Sequence, residues 1–186
     1  MSFTKILAAT DGSSHGRTAT RIAGDLAGRY TAKLLLAHVI TDQPVPHDLC
    51  HMAAVEHLLH NQEAESEPKL GDLSLTTRSA ADERLLAEAV SSELLEQATS
   101  LAKRTGAMEI VHMELSGDPA EALIACANRN EVDLVVIGSR GFNRLGRLIH
   151  GSVSTKVSQG VRCACLIVKE SAWPAPPSCG ASGRRT

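Results

Sequence analysis

Short apolar runs alternate along the chain with segments in which apolar residues recur at helical spacing. The runs Lys5–Ala9, Lys33–Ile40 and Asp133–Ile137 are almost continuously apolar, which is typical of strands covered on both faces of a parallel sheet. Glu109–Leu115 alternates only loosely, so we expect a strand at a sheet edge. Arg162–Lys169 predicts a fifth strand near the end of the chain.

Helical periodicity occupies the segments between these runs. Apolar residues recur at helical spacing over 19–30 and again over 86–101. The motif Asp118–Glu121 predicts a capped helix start with proline in the first turn, and Ser152–Gly160 predicts a short last helix. Strands and helices in strict alternation indicate an α/β fold with a five-stranded parallel sheet and helices on both faces.

The length of 186 residues predicts one domain. We expect it to span residues 1–169, with a variable insertion at about 41–84 that is rich in proline, histidine and acidic residues. The remaining segment, 170–186, has the composition of a flexible tail. No secretory signal and no membrane-length apolar run is visible, so the sequence predicts a cytoplasmic protein without a membrane partner.

Composition excludes one class of partner and argues against a metal site. The net charge of -2 and the scarcity of aromatic residues argue against nucleic-acid binding. The five cysteines fit no zinc spacing, and we expect three of them to serve in packing, with redox or metal roles as the alternative: Cys126, Cys163 and Cys165. The histidines of the insertion also lack ligand spacing and are interpreted as surface residues: His47, His51, His57 and His60.

The loop Gly138–Ser152 carries the most informative chemistry. Its glycines allow close backbone approach to a ligand, and backbone N–H groups in such turns form a concavity that binds anions. A helix begins at Ser152, and helix N-termini favour phosphate. The loop also contains three arginines and a histidine but no acidic residue: Arg140, Arg144, Arg147 and His150. An empty strand–helix connection is the alternative, but the coincidence of glycines and arginines favours anion binding.

Two standard phosphate motifs do not fit this loop. No lysine precedes Ser152 as a P-loop requires, and the segment Asp11–Gly16 is not a dinucleotide fingerprint. The pattern that fits is G-x2-G-x9-G-S over Gly138–Ser152, combined with KILAATDGS at the first strand, AHVI at the second and HGSVSTKVSQGVRCACLIVK at the end. On these motifs the chain resembles the nucleotide-binding subgroup of the universal stress proteins over about residues 3–169.

The resemblance implies a Rossmann-like sheet with strand order 3-2-1-4-5 and an adenine nucleotide lying across strands one and four. It implies that Asp11 lies near the nucleoside and that the backbone of Val39 reads the adenine edge. Asp11 could instead simply cap the first helix or its turn. The other implied contacts lie mostly in or beside the glycine-rich loop: Gly138 and Gly141 at the ribose and phosphates, Gly151, Ser152, Val153 and Ser154 at the phosphate end, and Ala9, Ile137 and Arg140 lining the pocket.

The sequence therefore predicts an ATP-binding universal stress protein that acts as a stress-response or regulatory module. Mg²⁺ or Mn²⁺ would accompany the ATP, while AMP and ADP stay open as ligands. A slow ATPase is one alternative, in which Asp11 and Ser152 help to hold Mg²⁺. No P-loop lysine or dedicated base is apparent, which predicts weak hydrolysis at most.

A protein-interaction module that needs no nucleotide is the other alternative, and the retained glycine loop argues against it. The resemblance also implies a homodimer formed through the last strand, since an unpaired edge strand is a natural pairing surface. Family members usually carry proline where this chain has Ala164. This departure should loosen that corner slightly without changing the pocket.

Overall fold

The computed structural model of the protein describes residues 2–41, 80–140 and 152–169. Within those residues strands and helices alternate along the chain. The strands are β1 (Lys5–Ala9), β2 (Lys33–Ile40), β3 (Ile110–Ser116), β4 (Leu134–Gly138) and β5 (Ala164–Val168). The helices are α1 (Ser14–Tyr30), α2 (Ala80–Thr105), α3 (Pro119–Asn130) and α4 (Ser152–Gly160).

The five strands form one parallel sheet in the order β3-β2-β1-β4-β5. This confirms the predicted α/β class, the strand order and the edge position of β3. The bounds of β1 and β2 are as predicted, β3 and β4 begin one residue later, and β5 is shorter than the predicted run Arg162–Lys169. Gly138 is therefore the last residue of a strand rather than the first residue of a loop.

A hydrophobic core lies on each face of the sheet. One core joins β1 and β2 side chains such as Ile6 and Leu36 to small residues of α1 and to Leu95 of α2. The other joins Leu7 and Val135 to side chains of α3 and α4. Alanine and branched aliphatic residues supply nearly all of both cores, in keeping with the scarcity of aromatic residues. Strands buried on both faces explain the continuous apolar runs of the sequence.

Polar caps set where the helices begin. The Ser13 hydroxyl accepts a hydrogen bond from the Gly16 N–H (3.1 Å), so α1 begins at Ser14 rather than at the first apolar repeat. The Asp118 carboxylate accepts from the N–H groups of Ala120 and Glu121, both at 3.0 Å, which confirms the predicted start of α3. Such caps satisfy N–H groups that have no partner within the helix.

The predicted insertion needs one correction, because α2 already begins at Ala80. Residues 80–84, predicted to belong to the insertion because the apolar pattern is interrupted there, are helical. The rest of that segment, residues 42–79, lies outside the described residues, as do the tail 170–186 and the four histidines of the insertion. None of the helices in the described ranges combines the length and the apolar character needed to span a bilayer.

The amino-terminal edge of the sheet is tied together by one carboxylate. Asp133 Oδ2 accepts from the N–H of Thr4 (2.6 Å), the hydroxyl of Thr4 (2.7 Å) and the N–H of Lys5 (2.9 Å). The Lys5 N–H, and then the two Thr4 donors, hold the pKa of the Asp133 carboxyl below its usual range. The Asp133 N–H in turn donates to the Lys5 carbonyl (2.9 Å). The starts of β1 and β4 are thus joined by side-chain and backbone bonds.

Candidate functional site

The strand order reverses direction between β1 and β4, and this makes their carboxyl ends a natural ligand crevice. From β1 the chain continues to β2 and β3 on one side, while β4 and β5 add on the other. In open parallel sheets, ligands bind beyond the carboxyl ends of the strands at such a reversal. The predicted site residues Ala9, Asp11, Ile137 and Gly138 all lie at or just beyond these two strand ends.

The loop between β1 and α1 is a compact polar turn. Asp11 Oδ1 accepts from the Ser13 N–H (3.0 Å), and the hydroxyl of Thr10 accepts from the Gly12 N–H (3.4 Å). Gly12 has φ of 79°, a left-handed conformation that favours glycine. The role of Asp11 in its own turn, the simpler of its two predicted roles, is thus observed. Its contact with a nucleotide stays a prediction.

Gly138 brings the end of β4 against the first turn of α1. A Cβ atom added at Gly138 would lie 2.9 Å from His15 Cβ and 3.0 Å from the His15 carbonyl carbon. A Cβ added at Gly16 would lie 2.8 Å from Asp11 Oδ1. The first turn of α1 therefore packs against both Asp11 and Gly138. It needs glycine at these contacts because neither leaves room for a side chain.

Four of the predicted pocket residues meet in one apolar cluster. Ala9 and Ile137 belong to the core on the α3 and α4 face, and Val39 and Val153 pack against that same core. These residues come from β1, β4, β2 and α4 respectively. The structure therefore brings side chains that are far apart in sequence into one core beside the carboxyl edge, where Ala9 and Ile137 are buried and Val39 and Val153 are half-buried. Apolar residues next to a few polar groups are the usual lining of a small-molecule site.

The predicted phosphate end is described only in part. Ser152 is the first residue of α4, Ser154 is buried and Val153 is half-buried. Arg140 is exposed just after β4, and the Ser139 N–H donates to the Val168 carbonyl (2.7 Å). Gly141 and Gly151 lie outside the described residues, as do Arg144, Arg147 and His150.

His38 is a residue at this edge that sequence reasoning missed. Its Nδ1 lies 2.9 Å from the carbonyl oxygen of Thr10, and the ring is half-buried. A signal was available, because His38 is the single polar residue within the otherwise apolar stretch after Lys33 in β2. The bond connects the end of β2 to the turn that carries Asp11.

The three described cysteines serve in packing, as the sequence predicts. Cys126 is buried in the core on the α3 and α4 face, and Cys163 and Cys165 pack against it. Burial is the main cause that raises the pKa of each of the three thiols. Thiols held protonated in this way are poor nucleophiles. Within the described ranges, no cluster of three or more histidine, cysteine or acidic side chains could hold a metal ion.

Comparisons with known proteins agree on one family. The model of the universal stress protein family matches residues 2–169. The stress response protein NhaX of Bacillus subtilis is 31% identical over 173 residues, which cover 89% of this chain and 97% of that protein.

Solved structures share the fold. A universal stress protein in complex with cAMP superposes with a TM-score of 0.61 at 24% identity, covering 92% of this chain and 100% of the other. The universal stress protein from Archaeoglobus fulgidus in complex with dAMP gives a TM-score of 0.55 at 17% identity, covering 91% and 100%.

Proposed function

Since the chain belongs to the universal stress protein family, we propose that it is an ATP-binding stress-response or regulatory protein of the cytoplasm. The observation that carries the proposal is the meeting of the β1 and β4 ends at the strand reversal, beside the core that contains Ala9 and Ile137 and against which Val39 and Val153 pack. Two relatives of the same fold are complexes with the adenine nucleotides cAMP and dAMP. Both observations support an adenine nucleotide at this edge.

The proposed base site uses the backbone of Val39. Val39 lies near the carboxyl end of β2, next to β1 in the sheet. Its side chain packs on the same core as Ala9, so an adenine ring stacked over these residues would keep one face on apolar atoms. Adenine presents one hydrogen-bond acceptor and one donor along its N1 and N6 edge, which the N–H and C=O of a single residue can match.

The proposed phosphate site lies between the end of β4 and the start of α4. Gly138 has no side chain of its own at this strand end and lies against His15 and the Gly16 nitrogen in the first turn of α1. The helix α4 begins at Ser152, and the N-terminus of a helix favours an anion through its N–H groups and its dipole. Gly141, Gly151 and Arg140 complete this site in the proposal, and Mg²⁺ or Mn²⁺ would neutralise part of the charge of ATP.

Calorimetric titration with ATP tests the proposed site. Wild type should bind, while Gly141→Asp and Gly151→Asp should each weaken binding at least about 100-fold, because a carboxylate would then face the phosphates. Gln159→Asp is the matched control: it adds the same charge on α4 at an exposed position away from its start. Equal binding by wild type and both glycine variants would exclude the site.

We also propose that the protein forms a homodimer that pairs through β5. This strand lies at the edge of the sheet, and its Leu166 and Ile167 are 38% and 42% exposed. An edge strand with exposed apolar side chains is suited to pairing with a second copy. In sedimentation at micromolar concentration, Ile167→Glu should be monomeric, whereas Met108→Glu, at a 73% exposed position before β3, should remain a dimer. A monomeric wild type would refute this part of the proposal.

A further inference from the structure

The hydrogen-bond ladder between β1 and β2 stops just before Val39. Ala9 pairs with Ala37 in the register, and the Thr10 N–H donates to the Ala37 carbonyl (2.9 Å). Bonds of a parallel ladder recur every second residue. Its next two bonds would run from the Val39 N–H to the Thr10 carbonyl and from the Gly12 N–H to the Val39 carbonyl. The N–H and the C=O of Val39 therefore both point toward the β1 side, beyond the last paired residue.

Two groups would continue the ladder by bonding to Val39: the Thr10 carbonyl and the Gly12 N–H. Among the described residues, each of them is bonded to another group. The Thr10 carbonyl accepts from His38 Nδ1 (2.9 Å). The Gly12 N–H donates to the Thr10 hydroxyl (3.4 Å), in a turn where Gly12 has φ of 79°. A carbonyl oxygen can only accept, so the proton of the His38 ring must be on Nδ1. The side chain of His38 thus replaces the Val39 N–H as the donor to Thr10.

We propose that His38 is a positioning residue for adenine recognition. By donating to the Thr10 carbonyl, it ends the β1–β2 ladder at Ala37 and leaves the N–H and C=O of Val39 directed at the ligand. This inference rests on the proposed function, because it assigns to those two groups the N1 and N6 edge of adenine. Guanine presents the reverse order of donor and acceptor on that edge, so the same arrangement selects adenine over guanine.

The register of β2 with β3 defines the face of the sheet on which His38 lies. His38 is the register partner of Glu114 on β3, so both side chains leave the sheet on the same face. On that face the fully buried Ser91 of α2 donates to Glu114 Oε1 (3.5 Å). The half-buried His38 therefore leaves the sheet on the face that α2 covers.

Two substitutions separate the hydrogen bond from the bulk of the side chain. His38→Leu provides a side chain of similar length that has no donor. His38→Asn places an amide N–H group at the δ position, as far along the side chain as Nδ1 of histidine, and can donate to the Thr10 carbonyl again. We expect His38→Leu to weaken ATP binding about tenfold and His38→Asn to stay within about threefold of wild type. Equal weakening by both variants, or no weakening by Leu, would overturn the inference.

Two further measurements need no nucleotide and so separate this inference from the proposed function. In long-range ¹H–¹⁵N spectra of wild type at alkaline pH, His38 should show the tautomer with the proton on Nδ1. Hydrogen exchange of the Val39 amide should slow about tenfold or more in His38→Leu, because Val39 can then donate to Thr10 and extend the ladder. If wild type binds no ATP, the proposed function fails. A proton on Nε2, or unchanged Val39 exchange, instead refutes the role of His38.

Discussion

The two ends of the β1–β4 strand pair are built in opposite ways. At the amino end, the Asp133 carboxylate collects three donors from Thr4 and Lys5, and the Asp133 N–H returns a bond to the Lys5 carbonyl. At the carboxyl end, the Asp11 carboxylate accepts from Ser13 within the turn that follows β1. The carboxylate at the amino end joins β1 to β4, whereas the carboxylate at the carboxyl end shapes a turn.

From this difference we infer that the amino edge contributes mainly to stability and the carboxyl edge mainly to ligand binding. The amino edge satisfies its backbone groups internally, which contributes to stability and leaves little for a ligand to bind. The carboxyl edge keeps its turn compact and directs the backbone of Val39 beyond the end of the β1–β2 pairing. Substitutions at the amino edge should therefore change stability with little effect on binding, and those at the carboxyl edge should change binding most.

The largest effect is expected from Gly138→Ala at the carboxyl edge. The new methyl group would lie 2.9 Å from His15 Cβ and 3.2 Å from the Gly16 nitrogen, so the first turn of α1 must shift. We expect a loss of about 1–3 kcal/mol in the free energy of unfolding, as overpacking usually causes, and a loss of at least about 100-fold in ATP affinity. Denaturant unfolding and calorimetry measure the two effects.

The control for Gly138→Ala is Ser139→Ala, because Ser139 is the next residue, is half-buried and lies outside β4. It should change the free energy of unfolding by less than about 0.5 kcal/mol. If Gly138→Ala keeps the ATP affinity of wild type, the contact between β4 and α1 does not shape the ligand site.

A smaller effect, on stability alone, is expected from Asp133→Ala at the amino edge. The Thr4 and Lys5 donors would lose their common acceptor. Because the carboxylate is largely exposed and water can replace part of the loss, we expect a destabilisation of about 1 kcal/mol. ATP affinity should remain within about twofold of wild type.

The destabilisation caused by Asp133→Ala should depend on pH. The folded state lowers the pKa of Asp133, so its contribution is present above the unfolded pKa of about 3.9 and is lost as the pH falls through the lower folded value. The difference in unfolding free energy between wild type and Asp133→Ala should therefore be constant near neutral pH and should shrink below about pH 4. A difference that grows on acidification would contradict the role of Asp133 as an ionised acceptor.

The sequence predicts the fold well where burial alone decides it. The runs Lys5–Ala9 and Lys33–Ile40 became strands with the predicted bounds, because strands covered on both faces must be apolar throughout. The start of α2 was predicted too late. Its first residues, Ala80–Arg84, include no large apolar side chain, so apolar residues at helical spacing become visible only from Leu86.

The site could be predicted only as far as its residues follow a linear motif. Asp11 and Gly138 are predicted because one follows a predicted strand and the other lies at the end of one, and their contact with a ligand stays a prediction. The bond from His38 to Thr10 joins residues 28 positions apart, and periodicity carries no information about such a contact. The packing of Gly138 on His15 is equally a product of the tertiary arrangement. The sequence therefore indicates which loops form the site, while its internal geometry comes from the fold.

The most direct test of the central claim is chemical-shift mapping of the ¹⁵N-labelled protein during titration with ATP. We expect the amide signals of the carboxyl edge, at Thr10, Val39 and Val153, to shift with a common saturation curve, while those of Thr4 and Lys5 at the amino edge stay in place. Shifts confined to the amino edge, or no shifts at saturating ATP, would contradict it.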